Sequence, residues 1–288
     1  MIARLPAWFR QEVFSPAAER MRRILAELEI DTVCGAAGCP NINRCFSAGQ
    51  ATFLLLGRSC TRSCAFCCAS AKGAAGNAVA GDEPRRISEA AKLLGLGYAV
   101  LTSVSRDDLR DGGAAVFSAA IRCLRALGGG IKVEALIPDF QGESAALEIV
   151  VNSGPQVLGH NLETVSRLYR DLRPQADYAR SLNLLAAAKK INPRLVTKSA
   201  LLLGFGEKEA EVISALRDLR QAGCDIVCLG QYLAPSPRHY PVKEFIRPLR
   251  FARWAEAARE MGFGAVLSAP LARSSWLAQE VYDEFIHA

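Results

Sequence analysis

The sequence predicts an α/β fold: a single partial (β/α)6-type barrel of the TIM kind, with an extension at each end. Three observations carry this expectation. From Ala51 onward, short apolar runs of strand length alternate with longer amphipathic stretches of helix length. Such alternation needs right-handed crossovers and therefore parallel neighbouring strands. No internal repeat or low-complexity linker divides the 288 residues, half of which are hydrophobic, so one large core is affordable and disorder or collagen is excluded. A doubly wound open sheet is the competing architecture.

Taken in order, an Arg-rich stretch, Pro6 to Glu29, reads as a helical opening, and Cys34 to Cys45 reads as an irregular segment with Gly and Asn. Ala51 to Gly57 reads as a buried strand. Further strand-like runs are Tyr98 to Ser103, Ile131 to Ile137, Gln156 to His160, Leu195 to Leu203, Asp225 to Tyr232 and Gly264 to Ser268. Helical patterns between them include Ile87 to Leu96, Ala114 to Leu127, Leu162 to Leu172, Ala179 to Ile191 and Glu207 to Ala222. In a barrel of this kind the chemistry sits at the C-terminal ends of the strands. The expected division is an extension over 1–50, a barrel over 51–270 and a tail over 271–288.

No apolar run reaches the ~18 residues of a membrane helix, and Met1 to Arg23 lacks the apolar stretch of a signal peptide. A cytoplasmic protein with no membrane partner is expected. The formal charge is +6, concentrated between Arg167 and Lys198, where eight basic residues face only Asp171 and Asp177. That run could attract an acidic partner; solvated helix faces explain it equally well. With no aromatic interleaving or known motif, nucleic acid is not an expected partner.

Ten cysteines are the main chemical clue. At this length, without a signal, they do not suggest a disulfide framework. Six of them form two triplets between residues 34 and 67. Cys60, Cys64 and Cys67 give C-x3-C-x2-C on the loop after a strand. Three thiolates there can hold three corners of an iron–sulfur cubane and leave one iron open for chemistry. Structural zinc would want a fourth ligand, usually in paired knuckles. Cys34, Cys39 and Cys45 give C-x4-C-x5-C, which on its own leaves a second cluster and a structural metal both open.

The first spacing is that of radical S-adenosylmethionine (SAM) enzymes, and the surrounding text narrows the likeness. Cys39-Pro-Asn-Ile-Asn-Arg-Cys45, Cys60-Thr-Arg-Ser-Cys-Ala-Phe-Cys67, Thr102-Ser-Val-Ser-Arg-Asp-Asp-Leu-Arg-Asp-Gly-Gly113 and Arg273-Ser-Ser-Trp276 closely resemble lipoyl synthases. The likeness runs through residues 5–280.

It implies two [4Fe–4S] clusters and SAM as cofactors. One cluster, on Cys60, Cys64 and Cys67, would bind SAM and cleave it to a 5′-deoxyadenosyl radical. The other, on Cys34, Cys39 and Cys45 with the Ser275 hydroxyl at its fourth iron, would donate sulfur to C6 and C8 of a protein-bound octanoyl chain. Ser275, a catalytic residue in this sense, is a weaker iron ligand than a thiolate, so that corner should open. Trp276 replaces the family's usual Tyr.

Implied partners are octanoylated lipoyl domains of 2-oxoacid dehydrogenase E2 subunits or the glycine cleavage H protein. A ferredoxin- or flavodoxin-type electron donor and an iron–sulfur carrier for cluster repair are implied as well. SAM contacts are expected at Ser103, Asn161, Lys198, Gly204 and Glu207. For each a bland reading stands beside it: Gly204 to Glu207 also suits an ordinary strand-to-helix turn, and Ser274 or Ser275 suits a helix N-cap.

Arg106, Asp107 and Asp108 could position substrate. Cys68, Cys123, Cys224 and Cys228 read as core thiols, and His160 as structural. Two other functions stay open: a two-cluster radical SAM enzyme with another substrate, and an electron-transfer or scaffold protein.

Overall fold

The computed structural model describes residues 5–9, 15–69 and 81–287. The part of the expected opening helix at 10–14 lies outside the described residues. A 3-10 turn at Ala7–Phe9 is followed by α1 (Pro16–Glu27), which Ser15 caps by accepting the Ala18 N–H with Pro16 behind it. Then come α2 (Val33–Ala36), α3 (Ile42–Ser47), β1 (Thr52–Leu55), α4 (Glu83–Leu94), β2 (Tyr98–Ser103), α5 (Ala114–Ala126), β3 (Lys132–Leu136), α6 (Ser144–Asn152) and β4 (Val157–Gly159). The chain continues through α7 (Tyr169–Leu172), α8 (Tyr178–Ile191), β5 (Val196–Leu203), α9 (Glu209–Gln221), β6 (Ile226–Gln231), α10 (Pro248–Glu260), β7 (Ala265–Ser268) and α11 (Ala278–His287).

All seven strands are parallel, in the order β1 to β7. The α/β expectation holds, and each of the seven strand-like runs is a strand. Two expected segments differ. Cys34 to Cys45 is not irregular: it holds α2 and α3, α2 being capped by the Thr32 hydroxyl. The helix expected over Leu162 to Leu172 is reduced to a 3-10 turn, Ser166–Leu168, and the short α7. Glu163 instead exchanges backbone hydrogen bonds with Ala200 and Leu202 of β5, which keeps the start of this segment out of a helix.

Alternation along the strands separates two faces. Phe53, Leu55, Ala99, Leu101, Val133 and Ala135 pack outward against the helices with Ile87 and Phe117. Tyr98, Val100, Val157, Val196, Ile226 and Ala265 point to the other face and meet α11 through Ala278, Val281 and Tyr282. A ten-residue helix is ~15 Å long, while β2 to β7 laid flat would span ~24 Å. One helix can touch the starts of strands so far apart in the order only because the sheet curls around it. The sheet does not close by strand pairing, since β7 and β1 are its two edges.

The inner face also carries charge. Lys198 of β5 lies 3.0 Å from Glu134 of β3, both side chains being essentially inaccessible. Glu134 in turn accepts the Tyr98 hydroxyl at 2.9 Å. Burial pulls the Lys198 ammonium down, but Glu134 outweighs it and holds the pKa above its ordinary value. Breaking such a pair strands a buried charge. Lys198→Met is therefore expected to lower unfolding stability by roughly 3–5 kcal/mol in urea titration, and adding Glu134→Gln should restore a large part of it.

Candidate active site

Both cysteine triplets lie on the curled inner face. Cys60, Cys64 and Cys67 line a cavity of about 390 Å³ with Leu54, Thr102, Leu136, His160, Asn161, Glu163 and Arg173. Cys34, Cys39 and Cys45 line a smaller one with Thr52, Tyr98, Val100, Arg273, Ser275 and Trp276. Thr52 and Leu54, like Val100 and Thr102, are two positions apart on one strand face. The two cavities therefore occupy successive levels of one interior, about 7 Å apart along the strands.

The Cys60 to Cys67 loop is tied at both ends. Thr61 N–H and its hydroxyl both reach the Ser105 carbonyl at 3.0 Å. Ala65 donates to Leu172 and accepts from Tyr240. Inside the motif, the buried Arg62 forks onto Asp107 at 2.7 and 2.8 Å and reaches Asp139 at 2.5 Å. Burial raises the Asp139 carboxyl, but Arg62 overrides this and holds it at about 2, below its ordinary 3.8.

The second cavity is completed by the chain after β7. Ala269 donates to the Leu229 carbonyl, and Gln231 donates to Pro270. The Asn41 side chain donates to Leu271 at 2.7 Å. Gly230 has no β-carbon, and one placed there would overlap the Ala272 carbonyl. This strap therefore runs inside the sheet and ends at α11. Along it, the Ser274 hydroxyl donates to Asn161 Oδ1 at 2.9 Å, and the Asn161 amide donates to Glu163 at 3.0 Å. Ser274 is thus committed to the first cavity, while Ser275 lines the second beside its cysteines.

The donor sets suit clusters better than single ions. Each triplet brings three thiols to one cavity, the number that a four-iron cube with one corner left open requires. The thiols of each triplet still feel one another. Burial, and then Cys34 and Cys39, push Cys45 up to about 12. Burial raises Cys64 against the pull of Arg173. Thiols so placed need strong positive charge to become thiolates, and iron supplies it. Buried polar atoms without a partner mark both cavities: Ser103 Oγ and Arg173 Nε in or beside the first, Trp276 Nε1 and Asn41 Oδ1 in the second.

Of the expected SAM contacts, Ser103 and Asn161 line the first cavity. The other three, Lys198, Gly204 and Glu207, are not among the residues that line it. Lys198 lines neither cavity, because its ammonium is held by Glu134 deep in the wall. Gly204 and Glu207 form their own turn: the Glu207 carboxylate accepts the Gly204 and Phe205 N–H groups at 2.6 and 2.9 Å. Gly204, at φ +108°, is needed because a β-carbon would meet Gln231 and Glu244.

Arg106 forks onto Asp108, and Asp107 is taken by Arg62, so this trio braces the loop. Cys68 is not buried in the core; it lines the first cavity. Cys224 and Cys228 are core thiols as expected, while Cys123 is only partly buried. His160 is neutral at pH 7: burial lowers it to about 4, and Ile137 and Ser181 occupy its nitrogens.

The basic run largely dissolves. Arg167 pairs with Glu211, Lys189 with Asp225 and Arg180 with Asp139. Sequence reasoning overlooked Arg62, Asp139 and Arg173. An Arg inside a cysteine motif is a usable signal, but its partner 77 positions away is not.

Known proteins resemble this chain over most of its length. Residues 54–219 match the radical SAM superfamily model. The chain is 50% identical to a lipoyl synthase of Citrifermentans bemidjiense over 280 residues, covering 97% of this chain and 95% of that one. It is 48% identical to one from Caldicellulosiruptor saccharolyticus, covering 97% and 98%. Among solved structures it resembles HydG, a maturase of [FeFe]-hydrogenase, with a TM-score of 0.60 at 13% identity over 86% of this chain and 65% of that one. It also resembles methylornithine synthase, with a TM-score of 0.53 at 17% identity over 81% and 68%. These distant likenesses speak to the fold alone.

Two outcomes follow. Because the folded pKa of Asp139 lies below its unfolded value, the ionised pair stabilises the fold above about pH 4, and that contribution drains away as pH falls toward 2. Asp139→Asn should flatten this part of an acid-unfolding curve. Gly230→Ala should push the strap aside and, after anaerobic reconstitution, cut bound iron by about half, leaving the Cys60 site loaded.

Proposed function

The chain belongs to the lipoyl synthase family of the radical SAM superfamily, and from that membership we propose how its residues share the reaction. The enzyme is a sulfurtransferase that inserts two sulfur atoms, at C6 and C8 of an octanoyl chain carried on a lysine of a lipoyl domain. When bound, SAM and its [4Fe–4S] cluster supply the hydrogen-abstracting radical, and the auxiliary [4Fe–4S] cluster supplies the sulfur.

The observation that carries the residue assignment is the stacking of two cysteine cavities on one inner face, with Ser275 at the second. In our reading Cys60, Cys64 and Cys67 hold the SAM-binding cluster, and the fork of Arg62 on Asp107 and Asp139 keeps their loop from drifting. Ser103 and Asn161 contact SAM, with the Ser103 hydroxyl supplying a buried polar atom that no protein group satisfies. Cys34, Cys39, Cys45 and Ser275 hold the auxiliary cluster. Ser274 positions Ser275 by anchoring the strap to Asn161. No acid–base dyad is required, because removing hydrogen from an alkane carbon is beyond side-chain proton transfer. The chain's contribution is placement in a water-poor interior.

The division into an extension over 1–50, a barrel over 51–270 and a tail over 271–288 follows from this sharing of ligands. SAM cleavage consumes an electron, so the reading includes a ferredoxin- or flavodoxin-type donor. Loss of cluster sulfur calls for an iron–sulfur carrier that rebuilds it. No helix among the described residues is long and apolar enough to cross a membrane, and we place the enzyme in the cytoplasm.

The test is anaerobic: reconstituted enzyme, SAM, reductant and an octanoyl-lysyl peptide, followed by mass spectrometry. A dithiolated peptide with about two deoxyadenosines per product is expected. Ser275→Ala should still release deoxyadenosine yet yield little or no dithiolated peptide. Full sulfur transfer by that variant would remove Ser275 from the role.

A further inference from the structure

We infer that the indole N–H of Trp276 is a hydrogen-bond donor to the group held by Cys34, Cys39, Cys45 and Ser275, raising its reduction potential; the inference rests on the cluster assignment above. Trp276 lines that cavity next to Ser275, and its Nε1 is buried with no partner in the protein. An indole N–H left without an acceptor costs roughly 1–3 kcal/mol, so a buried one calls for a partner from outside the polypeptide.

The ring is also braced. Arg44 stacks over it at 5.4 Å, and the Trp276 N–H of the backbone bonds to Arg273 at 3.0 Å. Arg44 immediately precedes Cys45 on α3, so the same short helix fixes one thiol and the plane of the indole.

The acceptors a cluster would offer here are thiolates, sulfides and the serine oxygen, all electron-rich. A donor to any of them stabilises the more negative, reduced state, which moves the potential upward. Tyr, the usual residue at this place in the resemblance, is also a donor, so the exchange alters reach while keeping the N–H or O–H. Asn41 Oδ1 is the rival acceptor in the cavity. It too has no partner, while its amide is fixed on Leu271. A water bridging Asn41 to Trp276 would satisfy both without touching a cluster.

The test uses the full chain carrying Cys60→Ala, Cys64→Ala and Cys67→Ala, so that only the auxiliary site binds iron, with Trp, Phe or Tyr at position 276. Midpoint potential and exchangeable-proton couplings of the reduced cluster in H2O and D2O are measured beside iron and sulfide counts. Trp276→Phe is expected to shift the potential downward and to lose one exchangeable coupling, and Trp276→Tyr to regain part of both. Cluster loss in the Phe variant but not in the Tyr variant also supports a required donor.

Unchanged potential and couplings in Trp276→Phe overturn the inference, as does equal cluster loss in both variants, which would mean packing alone. A coupling that survives Trp276→Phe but vanishes in Asn41→Ala assigns it to a bridging water and likewise overturns it. A parent protein that binds no iron at all refutes the cluster assignment itself, and the inference falls with it.

Discussion

The approach of the Ala272 carbonyl to the bare α-carbon of Gly230 is the constraint on which the interior depends. A parallel sheet that curls around α11 without closing has two edges and an empty inner face. Any side chain at position 230 would hold the following strap off that face. With the strap inside, two neighbouring serines can serve different levels: Ser274 reaches Asn161 in one cavity, and Ser275 stands with the cysteines of the other. The backbone at one glycine thus sets the relation between two cavities whose walls come from distant parts of the chain.

Buried charge in this molecule serves placement. Arg62 lies within a cysteine motif and is almost inaccessible, yet both of its acidic partners belong to other loops. An ion pair of this kind contributes little net stability against an apolar substitute, because desolvation offsets the attraction. What it gives is direction, since a guanidinium forked onto one carboxylate and touching a second has one orientation. Glu134 does the same lower down, joining Tyr98 of β2 to Lys198 of β5 across the inner face.

Much of this was legible in the sequence, and the exceptions share a cause. The strands were, because apolar runs of strand length are local and each reappears within a residue or two of its expected bounds. The cysteine triplets were, because all three members of each lie within a dozen residues. A lysine in an apolar strand, as at Lys198, implies a partner without saying which; in the structure Glu134, 64 positions earlier, holds its ammonium. Glu207 is held locally instead, its carboxylate accepting the Gly204 and Phe205 N–H groups of its own turn. Leu162 to Leu172 carries a helical apolar period, yet Glu163 pairs with β5 and sits at φ +65°, a conformation no helix contains. The basic run between Arg167 and Lys198 counts charges without their counterions, which α9 and the β3 and β6 regions provide.

The strap also bears on how the molecule is made. Asn41 meets Leu271, and Gln50 meets Glu280, each across 230 positions of sequence. The Cys60 loop gains its first brace once β3 has followed it, because Arg62 then has Asp139. The Cys34, Cys39 and Cys45 cavity gains its last wall only from Arg273 to Gln279, far along the chain from the cysteines. Until that segment is in place the three thiols lack part of their cover, which leaves them open to oxidants and stray metals.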